Sequence, residues 1–364
     1  GDVYKRQLLG SISLRKNDFA MAEKSLKTVA EIAPGYPRVQ EDLGTVLLNM
    51  GRPQEAILPL QKAIEQNPQN ATAFFKLGGA LKSLGRDEAG DAALKMASEL
   101  SPAQANLERA TQLFAQGKFR ESEEIAKKIL EDNPREVNAG LLLGRIAIHA
   151  RAFKQAEKLL KRVIKIAPKF ILAWHELSNA LREQGKDEEA IELLEETLLF
   201  DTENATTHYQ LAAALAVAGR TADSASAYKK AVQIDPNLVG AYLGLGHTLK
   251  TMGDLEGGIA AYKQARKLKP NIGEISFSLS NLKTFRFSDL EIEDMKRRLN
   301  NPNLDQPSKV AFSFSLGKAY EDMKKYDEAF EFYLRGNEIH RSLVTYDPVQ
   351  TEVSNEKLKE VFSK

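Results

Sequence analysis

Apolar and small side chains recur along this chain with the 3.6-residue period of amphipathic helices. No stretch shows sustained two-residue alternation bounded by turn residues, so no strands are expected. The helical segments come in pairs, and the pairs repeat. Pro34, Pro68, Pro102, Pro134, Pro168, Pro236 and Pro270 fall 34, 34, 32, 34, 68 and 34 residues apart, with Thr202 at the skipped beat. Ten residues after most marks stands a small side chain (Gly44, Gly78, Gly144, Ser178, Ala212, Gly246) where two helices must approach closely. Seven residues further the first helix of most pairs ends on glycine (Gly51, Gly85, Gly117, Gly185, Gly219, Gly253), the residue that closes a helix at positive φ without strain. The second helix carries another small residue (Ala22, Ala56, Gly90, Ser122, Ala156, Ala190, Ser224, Gly258). Four residues later comes a large one in most repeats (Leu26, Leu60, Leu94, Leu160, Leu194, Tyr228, Tyr262). The pattern predicts an all-α, right-handed superhelical solenoid of about ten helical pairs.

With proline closing each period and small-to-large pairs inside it, the chain resembles the tetratricopeptide-repeat proteins from Leu8 to about His340. Composition adds limits. Fifty-one basic against 50 acidic residues leave a net charge of +1, so nothing general favours nucleic acid or an anionic membrane. There is no cysteine, which excludes disulfide and thiol chemistry. The longest apolar run, Leu211–Val217, is too short to span a bilayer. A cytoplasmic location is expected, although the chain does not begin with methionine and a leader could precede it.

The expected organisation has five parts. Residues 1–7 contain DVYKRQ, which resembles the translation of a transposon-end adapter, and are expected to be non-native. Residues 8–272 hold tandem repeats, the first with its opening helix cut to about two turns, so that Ala22–Val29 should fray. Residues 273–309 form a degenerate repeat and connector, in which Ser288 and Glu291 make a capping box. Residues 310–343 form a last repeat, and residues 344–364 a terminal helix with Leu358, Val361 and Phe362 on one side.

A narrower likeness lies in SLSNLKTFRFSDLEIEDM, YDEAFEFYLRGNEIHR and the following YDP. These segments, within Glu274–Phe362, resemble the junction between the repeat array and the enzyme domain of bacterial tetratricopeptide-repeat sulfotransferases. That resemblance implies a further domain using 3′-phosphoadenylyl sulfate; no residue here matches its cofactor or catalytic positions. A free-standing adapter and the repeat arm of a glycosyltransferase are the alternatives.

Within the chain itself no catalytic, cofactor or metal residues are expected. AYLGLGHT at Ala241–Thr248 imitates the end of a phosphate loop but lies inside a helix and has His247 where lysine is needed. His175 and Glu176 open HELSN, with Asn179 where a zinc protease requires histidine. Glutamates such as Glu188 and Glu189 suit the starts of helices. The family register implies an inward face of first helices lined by Arg145, Ile148, His149, His175, Asn179, Arg182, Tyr209, Val217, His247, Lys250, Phe277 and Asn281. Such a lining suits a peptide or protein segment, acidic in character, centred on Arg145, His149, His175, Asn179 and Arg182. The family's dicarboxylate clamp for chaperone tails is not expected, because Leu107, His175, Gly240 and Gly244 stand at its positions.

Overall fold

A computed structural model describes residues 2–15, 19–33, 35–36, 38–344 and 348–362. Pro34 and the Tyr346–Asp347 part of the YDP motif lie outside the described residues. All regular structure described is α-helical, and the chain divides into two compact units, 1–180 and 181–364.

The first unit contains five hairpins of paired helices. They are α1 (Asp2–Arg15) with α2 (Phe19–Ile32), α3 (Val39–Asn49) with α4 (Pro53–Gln66), and α5 (Ala71–Ser83) with α6 (Asp87–Leu100). Then come α7 (Pro102–Ala115) with α8 (Phe119–Asp132), and α9 (Val137–His149) with α10 (Phe153–Ile166). Helix α11 (Ile171–Arg182) carries the division between the units. The second unit continues with α12 (Asp187–Phe200), α13 (Ala205–Val217), α14 (Thr221–Ile234), α15 (Val239–Thr251) and α16 (Leu255–Leu268). It closes with α17 (Gly273–Ser280), α18 (Asp289–Leu299), α19 (Gln306–Asp322), α20 (Tyr326–Leu343) and α21 (Pro348–Phe362). Twenty-one helices among the described residues agree with a solenoid of about ten helical pairs.

The small residues act as sockets. A Cβ on Gly44 would lie 2.6 Å from Leu60 Cγ, and one on Gly144 would lie 2.7 Å from Leu160 Cδ2, so each glycine admits the large residue of its own second helix. Gly10 does the same under Leu26 at 2.7 Å, and Ala22, Leu26 and Val29 are fully buried. The first hairpin is therefore packed like later ones, and α1 runs back through the DVYKRQ residues rather than spanning only two turns.

Helix ends follow the glycine signal. At the end of α3, Gly51 has φ 71°, its N–H donates to Leu48 O at 2.9 Å, and Arg52 N–H donates to Leu47 O at 2.9 Å, the paired bonds of a Schellman cap. The fifth hairpin lacks the glycine yet keeps the geometry: Arg151 sits at φ 56° with the equivalent bonds to Ile148 and Ala147. An L-residue is strained there. Replacing Arg151 by glycine should stabilise the first unit by about 0.5–1 kcal/mol, read as a raised urea midpoint; an unchanged or lowered midpoint would show that the Arg151 side chain compensates.

The segment from α17 to α19 departs from the regular helix lengths of the preceding pairs. Ser288 Oγ accepts from Glu291 N–H and Glu291 Oε2 accepts from Ser288 N–H at 2.9 Å, completing the capping box that starts α18. Helix α17 is short and packs directly on α19, where a Cβ on Gly273 would meet Ser308 O at 2.5 Å. Phe285 and Phe287 turn inward from the connector and meet edge to face at 4.9 Å. In α16, Leu255 and Ile259 pack against the core that follows; their counterparts Tyr326 and Phe330 in α20 are exposed. In α21, Leu358 is exposed, while the side chains of Val361 and Phe362 lie outside the described residues.

Candidate functional site

First helices lie side by side within each unit, α1 to α9 by successive odd-numbered neighbours in the first, and α13 beside α15 and α17 beside α19 in the second. Each run offers an open face because residues at i, i+3 and i+4 of neighbouring helices point the same way. The predicted lining divides on this face by what each side chain already does.

Arg145 is engaged. Its Nε lies 3.1 Å from Glu176 Oε1, and its guanidinium stands over the Phe114 ring at 5.0 Å, so it ties α7, α9 and α11 together. His149 is exposed but stacks on Phe119, ring centroids 3.7 Å apart at 31°. His175 is only 7 % exposed, inside the helical layer rather than on its open face. Ile148 and Asn179 are half-buried. Three members of the expected centre of Arg145, His149, His175, Asn179 and Arg182 are thus already engaged within the chain. An ion pair, an aromatic stack and burial occupy groups that the register alone leaves facing solvent.

In the second unit Arg182 is half-buried, and its Nε is buried with no hydrogen-bond partner. Tyr209 is half-buried beside Tyr228 at 6.1 Å. Val217 and Lys250 are exposed, and Lys250 has no partner among the described residues. His247 turns its Nδ1 to the Tyr262 hydroxyl at 2.8 Å. Burial around the ring, with Lys250 nearby, holds the His247 pKa below the ordinary value against the pull of Glu274. A histidine lowered in the folded state binds its proton less readily than in the unfolded chain, so stability is full above the unfolded pKa near 6.5 and declines as pH falls below it. Urea unfolding at pH 7 and pH 5 should show a smaller loss for His247→Asn than for wild type; equal losses would mean that His247 titrates normally.

Phe277 and Asn281 border a cleft of about 360 Å³ with Phe314, Tyr333, Lys283 and Lys318. Phe314 lies 6.3 Å from both Phe277 and Tyr333, and Tyr333 Oη donates to Glu321 Oε2 at 2.7 Å. Lys318 is held by Asp322 at 2.7 Å, whereas Lys283 has no partner among the described residues.

The register transfer overlooked a larger opening in the first unit. A cleft of about 680 Å³ lies across α3, α5 and α7, bordered by Thr45, Asn49, Phe75, Lys76, Gly79 and Thr111. Beside it Glu41 is buried, accepting from Asn70 Nδ2 at 2.9 Å and Lys76 Nζ at 3.1 Å. Burial alone would raise the Glu41 pKa; the bonds from Asn70 and Lys76 outweigh it and hold the carboxyl below its ordinary value. The sequence signal for the cleft was Gly79, directly after the socket glycine Gly78, which leaves open space where a Cβ would be.

Ser178 is among the interior polar groups left idle. Ser122 Oγ and Ser224 Oγ donate across their hairpins to Ala110 O at 2.7 Å and Ala212 O at 2.8 Å, but the fully buried Ser178 Oγ has no partner. Ser178→Ala should therefore gain up to about 1 kcal/mol while Ser224→Ala loses about as much; chemical denaturation of the two variants checks the opposite signs.

Among the described residues no cluster of three histidine, aspartate or glutamate side chains could hold a metal ion, and no helix is long and apolar enough to cross a membrane. Three models described as tetratricopeptide repeat match the chain at residues 113–181, at 41–105 and 175–238, and at 239–272 and 311–341. Among curated proteins the chain is 30 % identical over 97 residues to mouse (Mus musculus) DnaJ homolog subfamily C member 3, covering 26 % of this chain and 19 % of that protein. It is 27 % identical over 82 residues to an uncharacterised protein of Aquifex aeolicus, covering 22 % and 11 %. The matched segment spans at most about a fifth of these relatives' length. Among solved structures, a human IFIT1 dimer with m7Gppp-AAAA aligns with a TM-score of 0.54 at 17 % identity, covering 83 % of this chain and 76 % of that one. A Thermus thermophilus tetratricopeptide-repeat protein, TTC0263, aligns with a TM-score of 0.42 at 21 % identity, covering 48 % and 94 %. Repeat period, socketed hairpins and repeat models spread over most of its length agree: the chain belongs to the tetratricopeptide-repeat proteins.

Proposed function

We propose that this chain is a protein-interaction scaffold that binds an extended segment of a peptide or protein on the open faces of its first helices. Tetratricopeptide repeats are a scaffold architecture, and the observation that carries the reading is the set of side chains left without intramolecular partners on that face. Lys250, Asn281 and Lys283 make no side-chain bond among the described residues, and Phe277 remains 38 % exposed beside the aromatic cleft. Extended peptides are gripped by this combination of an apolar anchor and polar groups around it.

A peptide array followed by fluorescence anisotropy with the full chain tests the reading. Phe75→Ala and Phe277→Ala together should weaken the selected peptides by about tenfold or more, as for loss of anchors at an interface centre. Equal binding by variant and wild type would end it. The similarity to IFIT1 concerns the fold alone, so a 5′-triphosphate RNA oligonucleotide belongs in the same assay. Tighter binding of that RNA than of any peptide would replace the peptide reading.

The finer proposal is that the array recruits substrate for a sulfotransferase domain encoded with it. The resemblance within Glu274–Phe362 supports this, and 3′-phosphoadenylyl sulfate would then be the cofactor of that domain, not of this chain. Sequencing the natural gene on both sides of this reading frame decides it: an adjoining sulfotransferase domain supports the proposal, and its absence favours the adapter.

A further inference from the structure

Three tyrosines occupy the same place in three hairpins of the second unit. Tyr228, Tyr262 and Tyr333 each stand four residues after the small residue of a second helix; the rings of Tyr262 and Tyr333 lie over the socket glycine of their own first helix, and Tyr228 shares a core cluster with Ala212. The sockets are Ala212, Gly246 and Gly317, and a Cβ on either glycine would come within 2.6 Å of the ring. Two of the hydroxyls are provided for: Tyr262 meets His247 Nδ1 at 2.8 Å, and Tyr333 donates to Glu321 Oε2 at 2.7 Å. Tyr228 has no such neighbour. The chain places Ala213 where His247 stands one repeat later, and Tyr228 Oη makes no hydrogen bond among the described residues.

What surrounds Tyr228 is a set of donors without an acceptor. Tyr209 lies 6.1 Å away, ring centre to ring centre, and its hydroxyl is also unbonded among the described residues. Gly240 and Gly244, one turn apart on α15, admit the two tyrosine side chains. A Cβ on Gly244 would stand 2.5 Å from Tyr228 Oη, and one on Gly240 would stand 3.3 Å from Tyr209 Oη. Arg182 is near enough for its charge to act on Tyr228, forms no ion pair among the described residues, and keeps its Nε buried and unbonded. Burial pushes the Tyr228 hydroxyl up to about 12, the neighbouring Tyr209 adds to that, and Arg182 pulls the other way; no carboxylate contributes. The hydroxyl is therefore a proton donor throughout the physiological range. A half-buried guanidinium normally has a carboxylate partner, and its absence leaves one positive charge near two phenolic donors that have no hydrogen-bond acceptor among the described residues.

We propose that Arg182, Tyr209 and Tyr228, with the glycine face of α15 behind them, form an oxyanion site that receives one carboxylate side chain of a bound acidic peptide. The single cation matches a singly charged group better than a doubly charged phosphate. A carboxylate accepts both phenolic hydrogens and pairs with the guanidinium, taking the place that Glu321 holds beside Tyr333. This rests on the peptide-scaffold reading but assigns its own residues, and the two can fail separately.

The test uses the full chain labelled with 13C-tyrosine, with the Tyr228 and Tyr209 signals assigned from Tyr228→Phe and Tyr209→Phe. The probes are N-acetylglutamate amide, a five-residue peptide with one central glutamate, its glutamine counterpart, and phosphate. The glutamate peptide should shift both tyrosine signals and the glutamine peptide should not. Tyr228→Phe should weaken binding of the glutamate peptide about fivefold to tenfold and Arg182→Gln more than tenfold, as expected for charge-assisted bonds. Tyr228→Phe keeps the ring in its socket, so its effect reads the hydroxyl and not the packing. Glutamine and glutamate peptides binding alike, or Tyr228→Phe binding like wild type, would overturn the site. Phosphate shifting the signals at lower concentration than the glutamate peptide would overturn the carboxylate assignment. If N-acetylglutamate amide shifts the signals but no peptide binds more tightly than it does, the oxyanion site stands and the peptide-scaffold reading falls.

Discussion

Truncating Tyr262 to alanine should cost about 3–5 kcal/mol, as expected when a fully buried aromatic side chain is removed from a core. Tyr262 is completely buried, its ring lies on Gly246, and it belongs to the cluster that joins α16 to Ile275, Leu279 and Phe312. Neighbouring repeats hold one another, so the loss should spread through α15 to α17 rather than unfold the chain as a single unit. Native-state hydrogen exchange gives the measurement. Amides of α15 and α16 should lose protection while those of α3 to α6 keep it. Tyr262→Phe removes only the hydroxyl that meets His247 and should cost about 1 kcal/mol. A loss for alanine below about 1 kcal/mol would mean that the socket collapses around the gap, contrary to the rigid packing described.

The opposite error should cost nearly as much. Gly144→Val adds side-chain atoms where even a Cβ would sit 2.7 Å from Leu160 Cδ2, and Leu160 is fully buried with nowhere to retreat. Overpacking of this kind costs about 1–3 kcal/mol, outweighing the helix propensity gained by replacing glycine. Because one contact causes the penalty, Leu160→Ala should partly rescue it. The double variant should be less destabilised than the two single losses added together, by about 1 kcal/mol or more. Strict additivity in urea denaturation would place the strain elsewhere.

How much of this was legible in the sequence follows from the range of each interaction. Features confined to one hairpin could be read directly. The period placed every socket glycine, the glycines after the first helices adopted positive φ as expected, and Ser288 with Glu291 formed the capping box. Arg151 shows the limit even at this range, since the left-handed cap forms there without the residue that signals it. The irregular segment was located but not its role: nothing in the residues around Phe285 and Phe287 told that both would turn inward and complete a core with α18 and α19.

The candidate site shows the division most clearly. The repeat register alone nominates a face, and the nominated residues lie on first helices except Asn281, which caps the end of α17. Whether a group on that face is available depends on partners about 30 residues away in the chain, such as Glu176 for Arg145 and Phe119 for His149. Those pairings turn on ångström distances between neighbouring helices, which a period cannot encode. The same holds for Tyr228, which a sequence comparison equates with Tyr262 and Tyr333. Only the packed structure separates them, because a hydroxyl is satisfied or idle according to the one side chain that reaches it. By itself, the sequence determined the fold, since small-to-large complementarity and helix termination are local and repeat with the chain. Tertiary structure decided which polar groups remain free to bind, since hydrogen bonds and ion pairs are made across repeats and only at short range.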